Sequence, residues 1–284
     1  ASLCAPVKWI TKAPLLTFIR TMKIKKAFTF GRSQIIFTIE RLMEKAGATV
    51  SDSLVANCQS IISELEKLGY TKKPVQLLYN NISEPQEDKT KYKNRVLKEF
   101  GLPEDAFLIV STGLLIPRKN QPCLIKALSE VESSKAVLIL VGDGPLLDSL
   151  QALAKQLGSK VIFTGWRKDV HAILSGCDLF VFSSYLEGLS NSILEAMECG
   201  LPCYVSDTPE SREIITHPEQ IFPADQPEIL TGMINEALHS RQKLEKIRTS
   251  TIEDRKRFIF NWEEKVIEKA EELIKNHQAR NRFT

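Results

Sequence analysis

The stretch DLFVFSSYLEGLSNSILEAM, residues 178–197, contains the change of pattern that decides the fold. It opens with the short apolar run Asp178–Phe182, which does not alternate with polar residues and is typical of a strand buried on both faces. Ser190 and Asn191 are common N-cap residues, and the amphipathic stretch 191–199 follows them. The stretch is therefore predicted to form a strand, a loop and a helix.

The same pattern recurs on both sides. It consists of apolar runs at 106–112, 136–141, 160–164 and 202–205, with amphipathic stretches at 121–131, 145–157 and 168–176 between them. Strands separated by helices of this length imply right-handed βαβ units and a parallel sheet. The prediction is an α/β domain with a doubly wound parallel sheet over residues 83–262.

Residues 1–82 are predicted to be part of a second, Rossmann-like domain with the start of a linker. Residues 1–46 have the pattern of two basic amphipathic helices, and residues 50–80 have that of one more βα unit. Asn80–Pro85 contains turn formers and a proline, as linkers do. Residues 263–284 are predicted to form a charged C-terminal helix.

Bulk composition is that of an ordinary globular protein, with 43% hydrophobic and 26% charged residues. The net charge of +3 identifies no partner, but residues 8–45 carry nine Lys or Arg and only two Glu. This segment suits contact with an anionic membrane surface, although a solvated pair of basic helices has the same composition. No apolar run approaches the roughly 18 residues of a membrane span.

Six cysteines form no Cys-x-x-Cys pair, and the closest spacing is Cys199 to Cys203. Reduced, buried thiols of a cytoplasmic protein are expected, with a zinc site or a disulfide as the alternative. The motif Gly-x-Gly-x-x-Gly follows none of the strands, and the P-loop motif is absent, so a dinucleotide dehydrogenase and a P-loop enzyme are disfavoured. No nucleic-acid partner is expected.

Unusual residues collect in the loops that follow the predicted strands. These loops are Gly113–Asn120, Gly142–Pro145, Gly165–Lys168, Glu187–Asn191 and Ser206–Glu210. The binding crevice of an open parallel sheet lies outside the carboxyl ends of its strands, so all five loops should line one rim.

The loop and helix start at Glu187–Glu195 are predicted to bind an anion. Gly188 allows close backbone approach, and the first N–H groups and dipole of a helix suit a phosphate. Glu195 lies one turn inside the helix and is placed to bind hydroxyls such as those of a ribose. Alternatively, Ser192 and Glu195 form a capping box and Glu187 is a solvated loop acid.

The other rim loops leave similar alternatives. Arg118 and Lys119 either neutralise a diphosphate or are solvated. Trp166 either flanks a base or packs against the protein, Arg167 is a ligand or solvated, and Asp143 is more typical of a turn than of a ligand. His171 is expected on a helix surface and not as a catalytic base.

These residues together resemble the retaining GT-B glycosyltransferases of family 4, over residues 50–275. The most specific part is EGLSNSILE, residues 187–195, with two glutamates separated by seven residues. Further motifs in the same order are Arg118-Lys119, Val141–Pro145, Phe163–Gly165, Cys199–Pro202 and Asn261-Trp262. In that family the last of these precedes the C-terminal helix that crosses back to the N-terminal domain, which implies the same course for residues 263–284. One departure is Leu114, where that family often has arginine.

The resemblance implies roles for individual residues. Glu187, Lys119 and Arg118 would be catalytic, Glu187 contacting the transferred sugar and the two cations the diphosphate. Donor-binding roles fall on Gly113, Gly165, Trp166, Arg167, Gly188, Leu189, Ser190, Asn191, Ser192 and Glu195. No cofactor and no metal are implied.

The implied activity is transfer of a hexose or another sugar from a nucleoside diphosphate sugar to a glycan or lipid-linked acceptor, with retention of configuration, in polysaccharide biosynthesis. The resemblance implies a cytoplasmic protein, with peripheral contact at the inner face of the membrane through residues 8–45. Because the family's N-terminal domain is longer than residues 1–82, the first part of that domain is expected to be absent. The alternative is a donor-binding subunit or an inactive fragment that needs a separate acceptor-binding polypeptide.

Overall fold

The computed structural model describes residues 8, 10–20, 34–70, 73–84 and 89–281. The chain divides into two compact units, the first formed by residues 1–81 and 260–284 and the second by residues 82–259. Both units are α/β structures with parallel strands. The α/β class predicted from the spacing of apolar runs is confirmed.

The described residues contain strands and helices in alternation. The strands are β1 (Leu16–Ile19), β2 (Ser53–Ala56), β3 (Val75–Leu77), β4 (Phe107–Thr112), β5 (Ala136–Val141), β6 (Val161–Phe163), β7 (Leu179–Phe182), β8 (Cys203–Ser206) and β9 (Ile221–Phe222). The α-helices are α1 (Gln34–Val50), α2 (Gln59–Lys67), α3 (Lys89–Glu99), α4 (Gln121–Ser129), α5 (Leu147–Leu157), α6 (Val170–Ser175), α7 (Asn191–Glu198), α8 (Pro209–Ile214), α9 (Pro227–His239), α10 (Arg241–Arg255) and α11 (Trp262–Asn281).

The first unit contains a three-stranded parallel sheet in the order β1-β2-β3. The prediction of two helices over residues 1–46 is wrong at β1, where Leu16–Ile19 pairs in register with β2. A short apolar run has no reliable periodicity, so the ladder with β2 decides its conformation. The helix prediction is met at residues 8, 10 and 11 and again from Gln34, where α1 begins. Residues 1–7, 9 and 21–33 lie outside the described part of the chain.

Helix α11 packs within the first unit. The ring of Trp262 lies 5.9 Å from that of Phe18 in β1, and Lys269 Nζ donates to Gln76 Oε1 of β3 at 2.8 Å. These contacts attach the C-terminal segment to the small sheet, although the two are far apart in sequence.

One face of helix α1 is apolar and exposed. Ile39, Leu42 and Met43 are between 47% and 62% exposed. Their spacing places them on one side of the helix. The stripe of Ile39, Leu42 and Met43 on α1 is therefore a partly exposed apolar surface of the first unit.

The second unit contains a six-stranded parallel sheet in the order β6-β5-β4-β7-β8-β9. Strands β5 and β6 extend outward from β4 on one side, and β7, β8 and β9 extend on the other. This reversal between β4 and β7 is the topological switch point of a doubly wound fold. The doubly wound sheet predicted from the sequence is confirmed.

The core explains why these apolar runs become central strands. All six residues of β5 and all four of β7 are buried. On one face, Leu138 and Leu140 of β5 pack in a cluster with Leu124, Leu150 and Ile234 from three helices. Because both faces of the strands are covered, the sequence has no polar alternation there.

Candidate donor-binding site

The loops after β4 and β7 meet at the switch point of the second unit. The loop after β4 ends in a 3₁₀ turn, Pro117–Lys119. Tyr185 N–H donates to the Arg118 carbonyl at 2.8 Å, and Ser183 Oγ donates to the Lys119 carbonyl at 2.9 Å. These bonds fix Arg118 and Lys119 against the β7 loop, as the rule for parallel sheets requires.

Glu187 lies between two cations at this junction. Its Oε2 is 2.6 Å from Arg118 Nη1, and its Oε1 is 2.9 Å from Lys119 Nζ. Ser184 Oγ donates to the same Oε1 at 2.9 Å. The side chains of Glu187 and Lys119 are only 11% and 12% exposed, so the cluster is largely shielded from water.

The shielding and the cations act in opposite directions on the pKa of Glu187. Burial raises it, but the charges of Lys119 and Arg118 and their hydrogen bonds outweigh burial and lower the pKa below its ordinary value. Glu187 is therefore ionised at neutral pH. The cluster contains two positive charges and one negative charge, and so retains net positive charge for an anion.

Lys119 is further positioned by Phe182 and Gly113. Its Nζ lies 5.0 Å from the centre of the Phe182 ring, within the range of a cation–π contact. A Cβ at Gly113 would lie 3.3 Å from Lys119 Cε, so the absence of a side chain makes room for the lysine. Gly113 thus lies against the Lys119 side chain, and its donor-binding role stays a prediction.

The neighbouring rim loops are held together by glycine backbone. Gly142 N–H donates to the Gly165 carbonyl at 3.0 Å, and Gly142 has φ +143°. A Cβ at Gly142 would lie 2.0 Å from the Gly113 carbonyl oxygen, which no side chain could accommodate. Asp143 serves in the turn, since its Oδ1 accepts from Gly144 N–H at 2.7 Å.

Helix α7 begins beside Glu187. Its N-cap is Ser190 in an extended conformation, and the Ser190 side chain makes no capping hydrogen bond. Gly188, Leu189 and Ser190 are buried, whereas Asn191 is exposed and Ser192 is half-buried. Because the cap is Ser190, Ser192 is already helical and the alternative of a capping box with Glu195 is not formed.

Glu195 lies on the exposed side of α7, one turn after the start of the helix at Asn191. Neighbouring protein atoms nevertheless remove water from its carboxylate, and this burial raises the pKa of Glu195. The charge of Glu198 raises it further, and that of Lys119 lowers it. No hydrogen bond or ion pair of this carboxylate occurs within the described residues, so it is open to a ligand.

The loop after β6 carries Trp166 and Arg167. Trp166 is 70% exposed, which excludes the alternative of a packing role within the second unit. Arg167 is bound to protein carboxylates, with Nε 2.8 Å from Asp169 Oδ1 and Nη1 2.6 Å from Glu99 Oε1. The alternative of a solvated Arg167 is therefore incorrect, and its predicted contact with a donor stays a prediction.

The sequence did not single out the residues that hold the cluster in place. Lys119 is contacted by Ser183 and Phe182, and Glu187 by Ser184. Arg167 is contacted by Glu99. The only sequence signal was the position of Ser183 and Ser184 directly after a central strand. The pairing of Glu99 with the β6 loop spans 68 residues and has no local signal.

Other predicted features have simpler outcomes. Cys58, Cys123, Cys177, Cys199 and Cys203 are free thiols. Within the described ranges, no group of three or more His, Cys, Asp or Glu side chains has the arrangement of a metal site. No helix in that same part of the chain is long and apolar enough to cross a membrane.

Solved structures share this fold. The Anabaena protein Alr3699/HepE, crystallised with UDP-glucose, aligns with a TM-score of 0.80 over 97% of this chain and 75% of its own, at 21% identity. Sucrose-phosphate synthase from Thermosynechococcus elongatus aligns with a TM-score of 0.74 over 98% of this chain and 72% of its own, at 18% identity. The α/β architecture with parallel sheets is thus that of GT-B glycosyltransferases.

Two curated relatives each match less than half of the chain. The lipopolysaccharide core biosynthesis glycosyltransferase LpsD of Rhizobium meliloti (strain 1021) is 37% identical over 125 residues, 43% of this chain and 36% of the relative. The UDP-Gal:alpha-D-GlcNAc-diphosphoundecaprenol alpha-1,3-galactosyltransferase of Escherichia coli is 33% identical over 130 residues, 43% of this chain and 33% of the relative. The chain thus spans only about a third of these relatives.

The second unit also matches a protein family. Residues 93–254 fit the family described as Glycosyl transferases group 1, which is more than half of the chain. This range contains both strands of the switch point and all of the cluster around Glu187. The chain belongs to the glycosyl transferases group 1 family.

Proposed function

We propose that this protein transfers a sugar from a nucleoside diphosphate sugar to a glycan or lipid-linked acceptor, with retention at the anomeric carbon as in family 4. The observation that carries the proposal is the cluster of Arg118, Lys119 and Glu187 at the switch point, beside the start of α7. Binding of dinucleotides and sugar nucleotides at such a switch point is a general property of doubly wound folds.

The cluster suits the departing diphosphate. Negative charge develops on the leaving group during glycosyl transfer, and fixed cations and backbone N–H groups stabilise it. Lys119 and Arg118 supply the cations, and the first N–H groups of α7 lie outside its internal hydrogen bonds. The catalysis proposed here uses these groups without a metal ion or other cofactor.

Glu187 forms ion pairs with both cations of the cluster. A diphosphate carries more negative charge than one carboxylate and would compete for Arg118 and Lys119. Released from one or both cations, the carboxylate of Glu187 could accept hydrogen bonds from the transferred sugar, which lies next to the diphosphate. Glu187 thus acts as a counter-ion first and as a sugar ligand afterwards.

The remaining rim residues suit the nucleoside. Glu195 has an open carboxylate one turn into α7, where it can accept the ribose hydroxyls. Trp166 offers an exposed ring to the base. The solved Anabaena neighbour binds UDP-glucose, which supports a uridine nucleotide as the first donor to test.

The acceptor is proposed from the substrate that one relative's name gives. The Escherichia coli relative acts, by its name, on a sugar linked to diphosphoundecaprenol, which supports a lipid-linked acceptor. A location at the cytoplasmic face of the membrane is part of the same proposal. Contact through the basic segment 8–45 belongs to the same proposal. Flotation with anionic vesicles measures that contact, and failure to float would argue against it.

A second candidate is a donor-binding subunit that needs another polypeptide to supply the acceptor half. The small sheet and the exposed stripe of Ile39, Leu42 and Met43 on α1 favour it, because a further layer of structure would cover them. Transfer by this chain alone to sugar or lipid-linked acceptors would contradict the second candidate.

A thermal-shift screen with uridine, guanosine and adenosine diphosphate sugars tests donor binding, because a ligand selective for the folded state raises the melting temperature. We expect Lys119→Ala and Glu195→Ala to weaken binding of the selected donor by about 1–3 kcal/mol, the contribution of a charged hydrogen bond. Lys135→Ala is the matched control. Lys135 directly precedes β5, and it forms an ion pair with Asp105 in which both side chains are more than half exposed. Unchanged donor affinity in both site variants would contradict the assignment.

A further inference from the structure

Each of the three guanidinium nitrogens of Arg167 donates a hydrogen bond to a carboxylate. Nε and Nη2 bond the two oxygens of Asp169 at 2.8 and 3.0 Å, and Nη1 bonds Glu99 Oε1 at 2.6 Å. The Asp169 contact is bidentate, which is the strongest geometry available to an arginine. Only 23% of the Arg167 side chain is exposed.

A second arginine completes the network. Arg95 Nη2 lies 2.6 Å from Asp169 Oδ2, so the four side chains of Arg95, Glu99, Arg167 and Asp169 form one chain of ion pairs with no net charge. The pKa of Asp169 is lowered, first by its hydrogen bonds from Arg167, so it stays ionised at neutral pH. A network without net charge attracts a phosphate far less than the cluster around Glu187 does.

Helix α3, which supplies Arg95 and Glu99, is itself fixed to the sheet. Lys93 Nζ donates to both oxygens of Asp178 at 2.9 and 2.8 Å, and Asp178 accepts from Leu108 N–H of β4 at 2.9 Å. A Cβ at Gly176 would lie 2.7 Å from the Tyr92 carbonyl, so α3 packs directly on the end of α6. The network therefore connects the β6 loop to a rigid support.

Trp166 lies between this network and a second anchor. On its N-terminal side, Gly165 has φ +67° and its carbonyl accepts from Gly142 N–H at 3.0 Å. On its C-terminal side, Arg167 is held by Glu99 and Asp169. The backbone on both sides of Trp166 is thus restrained while its ring is 70% exposed.

We propose that Glu99, Asp169 and Arg167 are positioning residues for the nucleoside: they hold the β6 loop so that Trp166 presents its ring to the base of the donor, and Arg167 is not itself a donor ligand. The inference rests on the proposed function, since it assigns the base end of the same site. It replaces the direct donor contact that the sequence predicts for Arg167.

The test compares two probes that reach different parts of the site. UDP, or GDP or ADP where the donor screen selects that base, engages both the cation cluster and the base loop, whereas inorganic pyrophosphate engages only the cations. We expect Glu99→Ala and Arg167→Gln each to weaken nucleoside diphosphate binding by about 3- to 10-fold, the size of a network ion pair, and to leave pyrophosphate binding unchanged. Glu99→Gln, which keeps an acceptor, should fall between wild type and Glu99→Ala.

A double-variant cycle separates positioning from direct contact. If Arg167 acts through the network, Glu99→Ala combined with Arg167→Gln should weaken binding no more than either change alone. If Arg167 contacts the donor, Glu99→Ala would release it and leave affinity unchanged or higher, and that result would overturn the proposal. Asp105→Asn, in an exposed ion pair with Lys135, is the control and should not change either affinity.

Fluorescence of Trp166 gives an independent readout. In a background of Trp9→Phe and Trp262→Phe, Trp166 is the only tryptophan of the chain. We expect Glu99→Ala to lower the anisotropy of Trp166 emission and to reduce its quenching by the nucleoside diphosphate, with far-ultraviolet circular dichroism unchanged as the check on folding. Wild-type binding of pyrophosphate without quenching of Trp166 by any nucleotide would overturn this inference alone, whereas binding of neither probe would overturn the proposed function with it.

Discussion

At the scale of single residues, the site is a balance of charge around one carboxylate. The carboxylate of Glu187 pairs with Arg118 and Lys119 and accepts a hydrogen bond from Ser184, all within 2.9 Å. Little of the Glu187 side chain is exposed to solvent. Breaking such a shielded pair by removing one partner leaves the opposite charges without compensation. The residue that we assign to the transferred sugar therefore also compensates the charges of Arg118 and Lys119.

This balance predicts a pH-dependent contribution of Glu187 to stability. Because its pKa is lowered in the folded state, the contribution is present above the ordinary value of 4.5 and is lost as the pH falls through the folded value. We expect Glu187→Gln to reduce the free energy of unfolding by about 1–3 kcal/mol at pH 7. The difference from wild type should shrink in acid, as measured by urea unfolding at pH 7 and below pH 4.

The same variant should change anion binding in the opposite direction. Without the carboxylate, Arg118 and Lys119 no longer have an internal competitor, so pyrophosphate should bind Glu187→Gln more tightly than wild type. Equal stability at both pH values together with weaker pyrophosphate binding would show that the carboxylate does not neutralise these cations.

At the scale of elements, the loops along the rim of the second unit contact one another through their backbones. The loops after β4, β5 and β6 touch through Gly113, Gly142 and Gly165, and the side chains of the site project from this glycine-lined edge. All three glycines have positive φ, which glycine adopts most readily, and Gly142 must also lack a Cβ because that atom would overlap the Gly113 carbonyl.

Gly142→Ala should therefore be strongly destabilising. The added Cβ would lie 2.0 Å from the Gly113 carbonyl oxygen, and φ +143° is strained for alanine, so we expect a loss of about 2–5 kcal/mol in urea unfolding. Gly158→Ala is the matched control, because Gly158 also has positive φ, +66°, but nothing lies within 4 Å of its added Cβ. We expect Gly158→Ala to lower the free energy of unfolding by about 1 kcal/mol. Equal losses at the two positions would mean that the rim relaxes around the clash.

At the scale of the whole molecule, the chain passes between its two units twice. Within the second unit, Ile82 N–H donates to the Phe258 carbonyl at 3.0 Å, so the ends of that unit lie side by side. Within the first unit, Asn81 Nδ2 donates to the Phe260 carbonyl at 3.3 Å. Each unit has its own sheet, and adjacent ends are typical of independently folding domains.

The second unit should consequently fold and bind its ligand alone. We expect a segment of residues 82–259 to unfold cooperatively in urea and to bind the selected nucleoside diphosphate within about threefold of the affinity of the full chain, a difference of less than 1 kcal/mol. Lys119→Ala in the same segment should weaken that binding and serves as the control. A segment that folds but binds more than tenfold more weakly would place part of the nucleotide site in the first unit.

The sequence by itself determined the class of the fold and most of the second unit. Apolar runs such as Ala136–Val141 predict buried parallel strands, because a strand covered on both faces consists almost entirely of apolar residues. Chain order and the rule for carboxyl ends then place Arg118, Lys119 and Glu187 on one rim, where the structure has them. These signals are local in the chain, so a sequence contains them.

Only the tertiary structure decided which of these charges meet. Glu187 pairs with cations 68 and 69 residues earlier, Arg167 pairs with Glu99, and Leu16–Ile19 is a strand because it pairs with β2. Each depends on a partner distant in sequence, and the residues themselves are equally compatible with a solvated loop or a short helix. Long-range pairing fixed their conformation, and the ion pairs of Arg167 are the basis of our proposal that it supports Trp166.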